Sequence, residues 1–166
     1  MVTRQGGIEL LQDPVAQTLL TSRSLARLAY TWTDGSPRVV PMWFHWDGQS
    51  VIFGGPPGAP KTQALRKNPR VAITIDQGEQ FPYKTLLLRG RAEVEEVEGV
   101  SPEYASSATR YFGPEQGAAW VQQIAQLGPT MARIRVRPDW VGIIGFETRF
   151  PSAIEKAMAA AAVNTG

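Results

Sequence analysis

The stretch RLAYTWTDGSPRVVPMWFHWDGQSVIF, Arg27 to Phe53, decides the architecture. Arg27–Trp32 alternates and is rich in β-formers, Arg38–Trp46 does the same, and Gln49–Phe53 follows. Between them stand Asp34-Gly35-Ser36-Pro37 and Asp47-Gly48, the turn chemistry of tight hairpins. Three strands joined so closely form an antiparallel meander, because a parallel crossover needs a dozen or more residues.

Outward from this stretch the pattern continues. Asp13-Pro14 reads as a cap and first helical position before a short helix, VAQTLLTSRS. A second short helix, TQALRK, stops at Asn68-Pro69. Arg70–Asp76 is a strand, and Thr85–Val97 is a long one in which Gly90 predicts a bend or bulge. Helices from Ser101 to Tyr111 and from Glu115 to Leu127 flank the breaker Gly113-Pro114. Thr130–Arg137 alternates apolar residues with arginines, and Trp140–Phe146 is the last strand candidate. The alanine-rich tail, 151–166, reads as helical or flexible. The whole predicts one mainly β domain over 1–166, with a core at about 25–150: six or seven strands in a small antiparallel barrel with short flanking helices.

Composition narrows the chemistry. With 166 residues the chain buries a real core, and a net charge of +2 with no basic block makes no case for nucleic acid. The absence of cysteine removes disulfides, thiolate metal sites and cysteine nucleophiles. A single histidine, His45, argues against a histidine-rich metal site, so no metal is expected. The N-terminus lacks an apolar signal region and no run approaches 18 apolar residues, which predicts a cytoplasmic protein away from membranes.

The nonapeptide GGPPGAPKT, Gly54 to Thr62, imitates a phosphate-binding P-loop except that Pro60 replaces the second glycine. A P-loop works through consecutive backbone N–H groups, and Pro56, Pro57 and Pro60 have none to give. The seven or so residues before the next strand are also too few for the usual crossover. What survives is a lysine and a hydroxyl, Lys61 and Thr62, at a helix start that favours an anion. Arg38, on the second strand, is a candidate to face the same point; a phosphate monoester suits the set. By spacing alone, Lys61 reads equally as a solvated surface residue.

The order P-R-V-V-P-M-W-F from Pro37, D-G at Asp47, V-I-F-G-G at Val51, K-T-x-x-L-x-x-N-P-R-V at Lys61 and L-x-R-G-R-A-E at Leu87 resembles the pyridoxamine 5′-phosphate oxidase-like split β-barrel superfamily, with its flavin- and deazaflavin-dependent oxidoreductase branch. The likeness runs from about Leu25 to Phe150. It implies a six-stranded FMN-binding split barrel, a homodimer with cofactor sites at the subunit interface, and a small-molecule substrate. Arg38 would reach the cofactor phosphate, while the strand through Val39, Val40, Pro41, Met42 and Trp43 lies along the ring. Phe53 and Gly54 would flank the phosphate and ribityl chain, and Lys61 and Thr62 would grip the phosphate. Arg149 is similar, loosely, to a C-terminal arginine that approaches from the other subunit. Pyridoxamine phosphate oxidases carry an Arg-Lys pair where this chain has Pro60-Lys61, and a C-terminal histidine motif where it has Phe146-Glu147-Thr148-Arg149. Vitamin B6 oxidation is therefore not expected, and the substrate stays open.

In this class the cofactor carries the hydride chemistry, so the sequence need show no catalytic acid or base. FMN is the expected cofactor. The alternatives are the deazaflavin coenzyme F-420, whose charged tail calls for basic residues such as Arg66, Lys67, Arg70 and Lys84, a flavin- or haem-binding protein without turnover, and a cofactor-free dimer. His45 reads as a strand histidine, Trp43 equally as a ring-stacking or a packing residue, and Asp76 as a strand-end residue.

Overall fold

The computed structural model of the chain describes residues 4–163. A 3-10 turn at Ile8–Gln12 leads into α1 (Pro14–Leu20), then β1 (Ala26–Thr31), β2 (Pro37–Met42), β3 (His45–Trp46) and β4 (Val51–Gly55). After α2 (Pro60–Lys67) come β5 (Arg70–Gln77) and β6 (Lys84–Glu98), the helical pair α3 (Pro102–Phe112) and α4 (Pro114–Ala125), β7 (Thr130–Ile144) and α5 (Ser152–Val163). The predicted cap at Asp13 is real, its Oδ1 accepting from the Val15 N–H at 2.9 Å, and Ser101 caps α3 likewise, its Oγ accepting from the Tyr104 N–H at 3.2 Å.

All strands pair antiparallel in one sheet, in the order β2-β1-β5-β6-β7-β4-β3. The sheet thus has seven strands where six were expected. The stretch Arg38–Trp46 is two strands, because Phe44 turns into the core and Trp43 turns out toward α3 and α4. This break also closes the barrel. β2 and β3 are the two outer strands of the sheet, yet only Trp43 and Phe44 connect them. Three peptide steps span at most about 11 Å, so the sheet must roll until its edges meet there. Between the edges no ladder forms, and the barrel is split at that line.

A second correction concerns the C-terminal strands. Thr130–Arg137 and the expected strand Trp140–Phe146, which stops at Ile144, form one strand, β7, with an irregularity where Gly90 pairs Pro138 and Arg89 pairs Trp140. Asp139 is the extra residue. It shifts the alternation by one, so that Ile134 and Val136 before it and Val141 and Ile143 after it all point into the core. Gly90 is required there, as a Cβ would lie 2.6 Å from the Arg137 carbonyl oxygen.

The interior is filled by Leu28, Ile73, Ile75, Leu86, Leu88 and their neighbours, and is plugged by Leu19 and Leu20 of α1 and Leu65 of α2. Outside, α3 packs on β3 and β4. The Arg110 guanidinium donates to the Phe44 carbonyl and stacks on the Phe44 ring at 4.7 Å, stapling α3 to the line of closure. No residue of α5 is buried, and residues 164–166 of the predicted tail lie outside the described residues.

Candidate functional site

β2 contains no buried residue, although five of its six side chains are apolar or proline. Among the described residues it pairs only with β1, with Arg38 opposite Tyr30, Val40 opposite Leu28 and Met42 opposite Ala26. Since Leu28 and Ala26 face the core, Arg38, Val40 and Met42 share the inner face and Val39 and Pro41 the outer one. Val39 is 67% exposed. The Arg38 guanidinium lies 5.5 Å from the Trp32 ring centroid, which leaves its N–H edge available.

The start of α2 supplies a second feature. Ala59 is its N-cap without a side-chain bond, and Pro60 takes the first helical position. The Lys61 and Thr62 amides follow, where helical N–H groups have no partner one turn back. Lys61 is half-buried, and burial pushes its ammonium below the ordinary value of 10.5. No carboxylate pairs with it among the described residues. A partly desolvated cation without a counter-charge is costly, and a bound anion would relieve that cost.

Other expected site residues have different surroundings. Thr62 is buried, and its hydroxyl donates to the Pro56 carbonyl at 3.3 Å, holding the proline loop rather than pointing outward. The Phe53 ring lies in the core, so only its backbone can meet a ligand. Gly54 is the contact point for α3, since a Cβ there would lie 2.6 Å from the Tyr104 ring. Trp43 stacks on Tyr111 at 5.4 Å and meets Phe112 edge-on at 4.7 Å, so within the chain it serves as a packing residue. Arg149 is buried and donates to Asp13 Oδ2 at 3.2 Å, within its own chain. Asp76, expected as a plain strand-end residue, ion-pairs with Arg27. No group of three or more metal-ligating side chains occurs among the described residues, and none of their helices is long and apolar enough to cross a membrane.

The structure therefore brings together two sets: Arg38 with Val40 and Met42 on β2, and Lys61 with the free amides of α2. Neither the shallow apolar hollow against Phe112 and Trp120 nor the larger groove at the β1 end is lined by Arg38 or Lys61. Sequence reasoning missed Arg110, Tyr104 and Tyr111, which fix the closure line. Their one signal was the aromatic spacing along a helix, which reads equally as core.

Residues 12–144 match the sequence profile of the family described as Pyridoxamine 5′-phosphate oxidase. The chain belongs to that family. Its barrel superimposes on solved structures of several kinds. An F420 reductase shares 26% identity at a TM-score of 0.57, over 76% of this chain and 94% of that one. A conserved hypothetical protein of Mycobacterium tuberculosis gives a TM-score of 0.66 at 20% identity, over 87% and 91% of the two chains. The haem storage protein HutZ of Vibrio cholerae gives 0.58 at 22%, over 80% and 93%. No curated protein matches the sequence. The pyridoxamine 5′-phosphate oxidase family thus accounts for the barrel.

Proposed function

We propose that the protein is a flavin-nucleotide-dependent oxidoreductase that works as a homodimer. The observation that carries this reading is Lys61, half-buried at a helix start without a counter-charge. A phosphate dianion satisfies it, with the Lys61 and Thr62 amides as donors and Arg38 as the second cation. The β2 backbone would carry the ring along Val40–Met42. FMN fits these requirements and, when bound, supplies hydride transfer to or from the organic substrate. This chain's residues bind and orient: Lys61 and Arg38 anchor the phosphate, and β2 sets the plane of the ring.

A second copy completes the site in this reading. β2 and the outer face beside it, with Val39 and Pro41, are uncovered in the single chain. Burying such a face against its twin would enclose the cofactor between subunits. Arg149, tied to Asp13, is left out of the cofactor contacts.

The 26% identity with an F420 reductase favours one second reading, in which the cofactor is the deazaflavin. Both cofactors present a phosphate and a tricyclic ring, so Lys61 and Arg38 serve either. The absorption spectrum of the chromophore bound to protein from its native host separates them and reveals haem if haem is held instead. The anchoring itself is tested by Lys61→Ala with Arg38→Ala. Charge-assisted hydrogen bonds contribute about 1.5–3 kcal/mol each, so the double variant should bind FMN several hundredfold or more weakly while remaining folded. Unchanged affinity refutes the placement.

A further inference from the structure

Where β1 begins and β5 ends, the surface opens into a groove of about 1020 Å³. Arg27 and Asp76 lie in it and neutralise one another as an ion pair. Around them stand Arg23 and Lys84, two cations, and Glu79 and Glu147, two carboxylates. None of these four is ion-paired among the described residues. Leu25 and Phe81 add apolar surface, and the Phe81 ring is 70% exposed.

The wall that carries Glu147 is held in place. Phe146 adopts φ 54°, a left-handed backbone that a bulky residue takes only when its surroundings impose it. The Gly145 and Phe146 amides both donate to the Arg149 carbonyl, at 2.9 and 3.0 Å, and the Arg149 guanidinium is anchored on Asp13. The Phe146 ring is caught edge-on between Tyr83 and Phe150. Glu147 is thereby offered to the groove from a loop fixed at three points.

The groove also adjoins β2. Arg27 sits directly opposite Pro41 in the β1–β2 ladder, and both face outward. Paired strands lie about 4.8 Å apart, so this edge of the groove is one strand away from the proposed ring position.

We propose that the groove binds the organic substrate, and that this substrate is a zwitterion with an apolar body. Its anionic end meets Arg23 and Lys84, its cationic end meets Glu79 and Glu147, and its middle lies against Leu25 and Phe81. An occupant of one sign would leave two like-charged groups of the lining unmatched, whereas a zwitterion satisfies both pairs. Naming the occupant as the redox substrate rests on the reading of β2 as the cofactor strand.

The test uses the tripeptide Gly-Phe-Gly with free ends, its N-acetylated form and its C-amidated form, titrated into isotope-labelled protein with and without FMN. Amide resonances of Lys84, Glu147 and the 77–82 loop should shift saturably with the free tripeptide. Each capped form should bind about tenfold more weakly, the loss of one charge-assisted contact. Glu147→Gln should lose the discrimination against the acetylated form, and Lys84→Met that against the amidated one. Shifts confined to other regions, no saturation, or equal binding of all three overturns the site. FMN binding with a silent groove overturns this inference alone. A groove that binds zwitterions in a protein that holds no flavin overturns the redox role of the occupant and the proposed function, and leaves the zwitterion site standing.

Discussion

Two residues show how local chemistry sets behaviour here. Gly54 admits α3 to the barrel wall, and a methyl group there would press on the Tyr104 ring at 2.6 Å and on Met131 Sδ at 3.0 Å. Gly54→Ala should therefore lose about 1–3 kcal/mol in urea unfolding, the cost of overpacking a filled interior. Lys61 controls a pH dependence. Its folded-state pKa is lowered by burial, so between that value and 10.5 the unfolded chain binds more protons and stability rises with pH. The penalty is present below the lowered value and relieved above it. Phosphate binding runs the other way, because the anion needs the ammonium. FMN affinity should fall as pH rises through the lowered pKa, and Lys61→Arg, which stays charged throughout, should flatten that fall in titrations from neutral pH to about 10.5.

At the scale of the element, β7 depends on one inserted residue. Deleting Asp139 restores simple alternation and would turn Val141 and Ile143 away from the core, or pull the second half of β7 out of register with β6. The deletion should abolish cooperative unfolding as followed by circular dichroism. Asp139→Ala keeps the residue count and concerns an exposed side chain, so it should change stability by less than about 0.5 kcal/mol. The same bulge explains why β7 reads as two strands from sequence: Pro138 lacks an N–H, and the apolar positions change parity there. The helical pair has a comparable dependence. α3 is held by Arg110 on Phe44 and by the Tyr111 hydroxyl on the Ser24 carbonyl at 2.9 Å, both long-range bonds that no local pattern announces.

At the scale of the molecule, the uncovered outer face beside β2 is the surface on which the proposed dimer, and with it the proposed site, depends. Val39→Glu places a charge on the face that would meet its twin. Sedimentation should find the unsubstituted protein dimeric and the variant monomeric, with FMN binding at least about tenfold weaker, or 1.4 kcal/mol. A variant that stays dimeric with full affinity removes that face from the interface.

The alternation of apolar residues and the turn dipeptides Asp34-Gly35 and Asp47-Gly48 sufficed to determine a mainly antiparallel barrel, because hairpins and side-chain parity are local properties of the chain. The cap at Asp13, the helix start at Ser101 and the bulge at Gly90 were legible for the same reason. Lys61 and Arg38 were identifiable as cations, but their surroundings were not. Only the tertiary structure decided that Lys61 is half-buried without a counter-charge, that Trp43 and Arg149 are engaged inside the chain, and that the two edge strands meet across Trp43-Phe44. Each depends on which distant segments come to lie together, and close packing, not local spacing, fixes that.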